Sequence, residues 1–384
     1  MRINQNLKLF PYIRENSRSL AFGLLYSVIP KRSLKNTMKI KEKASGPKKI
    51  SVNLALQGGG AQGAFTWGVI DRLLEEKTLH IEGISGTSAG AMNAAAVACG
   101  LIKGGHEGAR KELDKFWGAL SGAAGAFNPS QTWHSSIKGN FLGWSPVDIY
   151  RDILAQTLSP YQSNPLNYNP LKEIILKTID FKLLYNNKKV KLFVCATNVE
   201  TNALKVFHNN ELCEEALLAS ACLPTLFQAV KWKNSYYWDG GFMGNPVLEP
   251  LIYNCDSKDI IIVPINAIRH PGIPKTAKEI LNRINEITFN ANLMREIRSI
   301  RQIQQLSEHL SPENPFADIR LHCIQNEEFM ASLGVDTKYE TDLGFLNSVK
   351  EVGRETADEW IKKNYHLLGK EMTMDLGLWR MDEP

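Results

Sequence analysis

Residues 50–63 read Ile50-Ser51-Val52-Asn53-Leu54-Ala55-Leu56-Gln57-Gly58-Gly59-Gly60-Ala61-Gln62-Gly63. The first seven alternate as a strand does, and a glycine-rich turn follows at once. Ala64–Glu76 then places Trp67, Ile70, Leu73 and Leu74 at helical spacing. Consecutive glycines at such a turn let backbone N–H groups converge on one concave spot, because no Cβ intervenes. That spot suits an anion, including the oxyanion of a tetrahedral acyl-transfer intermediate. Gly58, Gly60 and Gly63 equally satisfy the G-x-G-x-x-G spacing of a dinucleotide loop, which stays open as an alternative. Against it, the end of the second strand lacks the acidic residue that holds a ribose. A phosphate-binding P-loop is excluded, since Ala64 stands where its lysine belongs.

The next unit favours the oxyanion reading. The strand-like stretch Ile81–Ile84 runs into Gly86-Thr87-Ser88-Ala89-Gly90, and the small-residue run Ala89–Cys99 follows. A Gly-x-Ser-x-Gly between strand and helix describes a nucleophile elbow, a turn so sharp that its neighbours must be small. The turn lifts the Ser88 hydroxyl off the backbone, beside the positive end of the next helix. Strand, glycine loop, helix, strand, elbow and helix in sequence put both loops at carboxyl ends of a parallel sheet. A base is offered further on, where Tyr236-Tyr237-Trp238 ends in Asp239-Gly240-Gly241. A carboxylate with two glycines behind it can approach another backbone without steric conflict.

These three motifs, in this order, resemble the patatin-like phospholipases. The resemblance covers about residues 50–370, and Ala219–Pro224 and Leu281–Ile300 also look like the family. It implies a three-layer α/β/α fold with a mostly parallel central sheet. It also implies a serine hydrolase of lipid acyl esters that needs neither metal nor cofactor. Ser88 is then the nucleophile and Asp239 its base. Gly58, Gly59, Gly60 and Ala61 form the oxyanion hole, with Gln62, Gly63, Gly86, Gly90, Gly240 and Gly241 in support. Many family members carry Arg or Lys where this chain has Gln62, which leaves more of the oxyanion to the backbone and helix dipole. A Ser–His–Asp hydrolase is the other catalytic reading. Its histidine follows the aspartate in the α/β-hydrolase order, and His270 after the strand Ile260–Ile265 is the candidate.

Composition agrees with such an enzyme. A chain of 384 residues, 43% of them hydrophobic, can bury a large core. Its six cysteines, Cys99, Cys195, Cys213, Cys222, Cys255 and Cys323, form no C-x-x-C pair. Reduced thiols and a cytoplasmic setting are therefore expected, not a disulfide frame or zinc site. No repeat and no nucleic-acid motif stands out, and no oligomeric state is implied.

Charge is unevenly spread. Residues 1–49 hold 12 Lys/Arg against Glu15 and Glu42, although the whole chain is only +5. The arm reads either as a solvated terminus, as a targeting segment or as a peripheral contact with anionic membrane. Its uncharged stretch Ser19–Pro30 is shorter than the ~20 residues that a spanning helix needs. The uncharged run Gly83–Ile102 is expected inside the domain, because it contains the elbow. Residues 117–168, rich in aromatics and prolines, read as an insertion that either walls an acyl pocket or packs on the core. Residues 371–384 read as a C-terminal tail.

Overall fold

The computed structural model describes residues 49–123, 158–269, 272–307 and 314–375. The basic arm, the middle of the aromatic insertion (124–157), His270 and residues 376–384 lie outside the described residues. Among the described residues the strands are β1 (Ile50–Leu56), β2 (Leu79–Gly86), β3 (Lys191–Asn198), β4 (Leu204–His208), β5 (Val230–Trp232), β6 (Ser235–Asp239), β7 (Asp259–Val263) and β8 (Arg320–Cys323). The helices that matter for the site are α1 (Ala64–Leu73), α2 (Ala89–Gly122), α3 (Pro170–Thr178), α4 (Glu214–Ser220), α5 (Glu249–Asn254), α6 (Ala277–Ser307) and α7 (Leu343–Asn364). Helix α2 breaks at Gly104 and Gly105.

One sheet runs β5-β6-β3-β2-β1-β7-β8, with β4 added to β3. Its centre, β3-β2-β1-β7-β8, is parallel, whereas β4 and β6 pair antiparallel with β3. Alternation sorts the side chains into two layers. Leu54, Leu56, Ile261 and Val263 join one core with α1, α2 and α7. Ala55, Ile260 and Ile262 face the other way, onto Leu251 of α5 and Leu293, Ile297 and Ile300 of α6. The expected three-layer α/β/α fold is the one observed. The antiparallel side is the part that helix–strand periodicity did not reveal.

Two registers set the site. Leu56 lies opposite Gly86, so the glycine turn and the serine elbow leave the sheet side by side. Strand β3 pairs β2 through Lys191–Val194 and β6 through Ala196–Asn198, while β4 spans Phe193–Thr197. Since β4 overlaps both partners, β2 and β6 share the opposite edge of β3, end to end. The C-terminal residues 372–374 are part of the body rather than a free tail. Met374 is buried and its N–H donates to the Leu321 carbonyl at 3.1 Å.

Candidate active site

Ser88 stands between β2 and α2 with φ 53° and ψ −121°. A non-glycine residue in that region costs on the order of 1–3 kcal/mol, and the surroundings must hold it. They do so by hydrogen bonds. The Ser88 N–H donates to the Ser220 hydroxyl at the end of α4, at 2.9 Å. Thr87 Oγ1 donates to the Gly244 carbonyl at 2.7 Å, and the Gly90 N–H donates to Thr87 O at 2.8 Å. Gly86 ends β2 and Gly90 lies in the first turn of α2, as the elbow requires.

The glycine loop lies against this turn. A Cβ on Gly58 would stand 2.7 Å from Ser88 Cβ, so only glycine permits the approach. Gly60 has φ +63°, and a side chain there would run into the Lys338 carbonyl. Gly60–Gly63 form a short 3-10 turn, with Gly59 as its N-cap. The N–H groups of Gly59, Gly60 and Ala61 therefore open a helical turn and have no partner inside it. All three residues line one cavity with Ser88 and Asp239. Gly58 differs from the expectation: its N–H donates to Asn245 Oδ1 at 2.6 Å and is not free for an oxyanion. Gln62 differs too. Its Nε2 donates to Thr337 Oγ1 at 2.9 Å, so it ties the loop to the segment Val335–Tyr339.

Behind the loop is a set of amides that no local pattern in the sequence marks. The buried Gln57 side chain accepts the N–H groups of Ile265 and Asn266 at 2.7 and 2.8 Å. It donates to Asn245 O at 3.2 Å and to Asn290 Oδ1 at 2.9 Å. Asn266 Nδ2 then donates to the Gly58 carbonyl at 2.7 Å. Gln57 is thus satisfied at all four of its hydrogen-bonding positions, and such a network rigidifies what it touches.

Asp239 closes β6 and is fully buried. Its Oδ1 accepts the Gly241 N–H at 2.7 Å, and its own N–H donates to the Cys222 carbonyl at 2.8 Å. Gly240 follows it in a short 3-10 turn. Burial pushes the carboxyl up to about 7, against the opposing pull of the Gly241 N–H and the Ser88 side chain. Ser88 is close enough to exert that pull, yet Oδ2 has no partner within strict hydrogen-bond geometry. The block Ala219–Pro224 now has a structural meaning: Ser220 steadies the serine turn and Cys222 steadies the aspartate.

The cavity holds about 630 Å³. Met92, Phe116, Trp117, Leu120, Leu171 and Phe227 are among its apolar lining residues, and Asn282, Lys338 and Thr341 are among its polar ones. Of the aromatic insertion, the described ends Trp117 and Tyr168 reach this wall. A volume of that size with a few converging polar groups suits a lipid-sized ligand. The family model for the patatin-like phospholipases matches residues 54–252, just over half of the chain. The chain belongs to that family. As a patatin-like phospholipase it is a member of a family of lipid ester hydrolases. Among solved structures it is similar to VipD from Legionella pneumophila, at 16% identity and TM-score 0.35, over 84% of this chain and 72% of that one. It is also similar to the heterodimeric ExoU–SpcU complex from Pseudomonas aeruginosa, at 15% identity and TM-score 0.30, over 86% and 74%. No curated protein matches it in sequence. Among the described residues no helix of this patatin-like chain is long and apolar enough to cross a membrane.

Proposed function

We propose that the chain hydrolyses carboxylic esters of lipids with Ser88 as nucleophile and Asp239 as its base. Asp239 Oδ2 takes the Ser88 proton as Oγ attacks the acyl carbonyl. The N–H groups of Gly59, Gly60 and Ala61 hold the resulting oxyanion, which a water-poor site strengthens. Collapse releases the alcohol, which leaves with the proton from Asp239, and an acyl ester remains on Ser88. Asp239 then takes a proton from water as the hydroxide attacks the acyl carbon, and collapse expels the Ser88 oxygen, which takes that proton back from Asp239 as the fatty acid is released. Each step conserves protons through one carboxyl group.

The observation that carries this reading is the common wall shared by Ser88, Asp239 and the glycine turn in one largely apolar cavity. An Asp near 7 also supports it, because a base poised near working pH transfers protons best. Fluorophosphonate labelling with mapping of the modified residue is the test. Label on Ser88, lost in Ser88→Ala, supports the reading; label elsewhere overturns it.

A further inference from the structure

The cavity lining contains two polar residues that the ester chemistry leaves unused. Lys338 belongs to the 3-10 turn Val335–Tyr339, beyond the residues matched to the family. Its carbonyl packs on Gly60, and Gln62 holds the neighbouring Thr337, so the turn rides on the glycine loop. Lys338 Nζ donates to Asn266 Oδ1 at 3.2 Å, which occupies one of its three protons. No carboxylate pairs with it among the described residues. The acid that acts on it, Glu286, is itself paired with Arg283 at 3.0 Å. Thr341 is buried on the same wall, and its Oγ1 has no hydrogen-bond partner.

A half-buried ammonium without a carboxylate and a buried hydroxyl without a hydrogen bond are both costly to hold in a protein. Burial lowers the Lys338 pKa, the shift that an anion in the cavity would reverse. Lys338 and Asp239 are the charged residues on the cavity wall among the described residues. Asp239 is committed to Ser88, so the cation is left for the ligand. We infer that Lys338 and Thr341 form the recognition site for the phosphate of a glycerophospholipid whose acyl ester lies at Ser88. The inference rests on the hydrolase reading above. The phosphate of such a lipid is a few bonds from the ester carbonyl, and the Lys338 backbone packs on Gly60 of the glycine loop, in the same cavity lining as Ser88. A fatty-acid carboxylate would instead lie at Ser88 itself. Phe116, Trp117 and Leu120 line the same cavity and offer apolar surface for the acyl chain.

The test measures binding without turnover, in full-length Ser88→Ala protein. Calorimetry compares dihexanoylphosphatidylglycerol, dihexanoylglycerol and inorganic phosphate. Adding Lys338→Met should weaken the phospholipid at least tenfold and the neutral lipid less than threefold. Lys338→Arg should retain most of the phospholipid affinity, and the isosteric Thr341→Val should weaken it in the same direction by a smaller factor. Equal weakening of both lipids would mean a structural role for Lys338 and overturn the inference, as would no weakening. Inorganic phosphate bound as tightly as the phospholipid would mean a free-anion site and overturn it too. If Lys338→Met does not fold, the Thr341→Val and Lys338→Arg arms decide the matter alone. Failure of the hydrolase reading is seen separately, as absence of fluorophosphonate label on Ser88 in the wild-type chain.

Discussion

Asp239 occupies, on the edge of β3, the place that β2 gives up as the chain turns away at Ser88. Gly86 is the last residue of β2 and faces Val194; Asp239 faces Ala196, two residues on. Because β6 runs opposite to β2, its last residue arrives where the elbow begins. A carboxylate delivered by a strand end is held by sheet hydrogen bonds, so in the proposed role of base it would cost little reorganisation during reaction.

Ser88→Ala should abolish ester hydrolysis and fluorophosphonate labelling, with unchanged circular dichroism. Replacing a half-buried hydroxyl with hydrogen at a strained turn perturbs stability little, so the unfolding free energy should change by no more than about 1 kcal/mol. Labelling that persists at another serine would refute the assignment.

The rate should rise with pH through about 7, because Asp239 must be ionised to accept a proton and burial holds its pKa there. Stability should move the other way. The folded state keeps this proton above the unfolded pKa of 3.8, so stability falls as pH rises from about 4 to about 7. Asp239→Asn should therefore raise Tm most at pH 8, with a difference that shrinks below pH 7, while activity is lost. A pH-independent Tm difference would contradict the buried-carboxylate account.

Dyad and triad are separated by one comparison. Asp239→Ala should remove nearly all activity and His270→Ala little of it. The reverse result would install His270 as the base and leave Asp239 as its orienting partner.

Ser220→Ala should damage the enzyme without touching substrate. It strips the acceptor from the part-buried Ser88 N–H, at a cost of about 1–3 kcal/mol. The loss should appear in kcat more than in KM, and Ser220→Thr should restore part of it. A pure KM effect would argue against a role in holding the elbow.

Deletion of residues 1–47 should spare hydrolysis of a soluble short-chain ester, since the first strand begins at Ile50. The same deletion should weaken binding to anionic vesicles, and full-length binding should fall with salt, as exposed charges are screened beyond roughly 8 Å. Vesicle sedimentation that is indifferent to the deletion would reduce the arm to a terminus or targeting segment.

The sequence by itself determined the local devices: the glycine turn after β1, the elbow at Ser88 and the Asp239-Gly240-Gly241 strand end. Each is legible because its geometry depends on neighbours in the chain, on small residues between a strand period and a helix period. Tertiary structure decided what those devices meet. That Gly58 spends its N–H on Asn245, that Gln62 turns to Thr337, and that Gln57, Asn266 and Ser220 hold the loops are facts of residues distant in sequence. The closeness of Asp239 to Ser88 likewise depends on β2 and β6 sharing one edge of β3. Lys338 had no signal at all in the sequence. A single lysine in a polar segment is ordinary until folding half-buries it in a cavity lining and pairs it with no carboxylate.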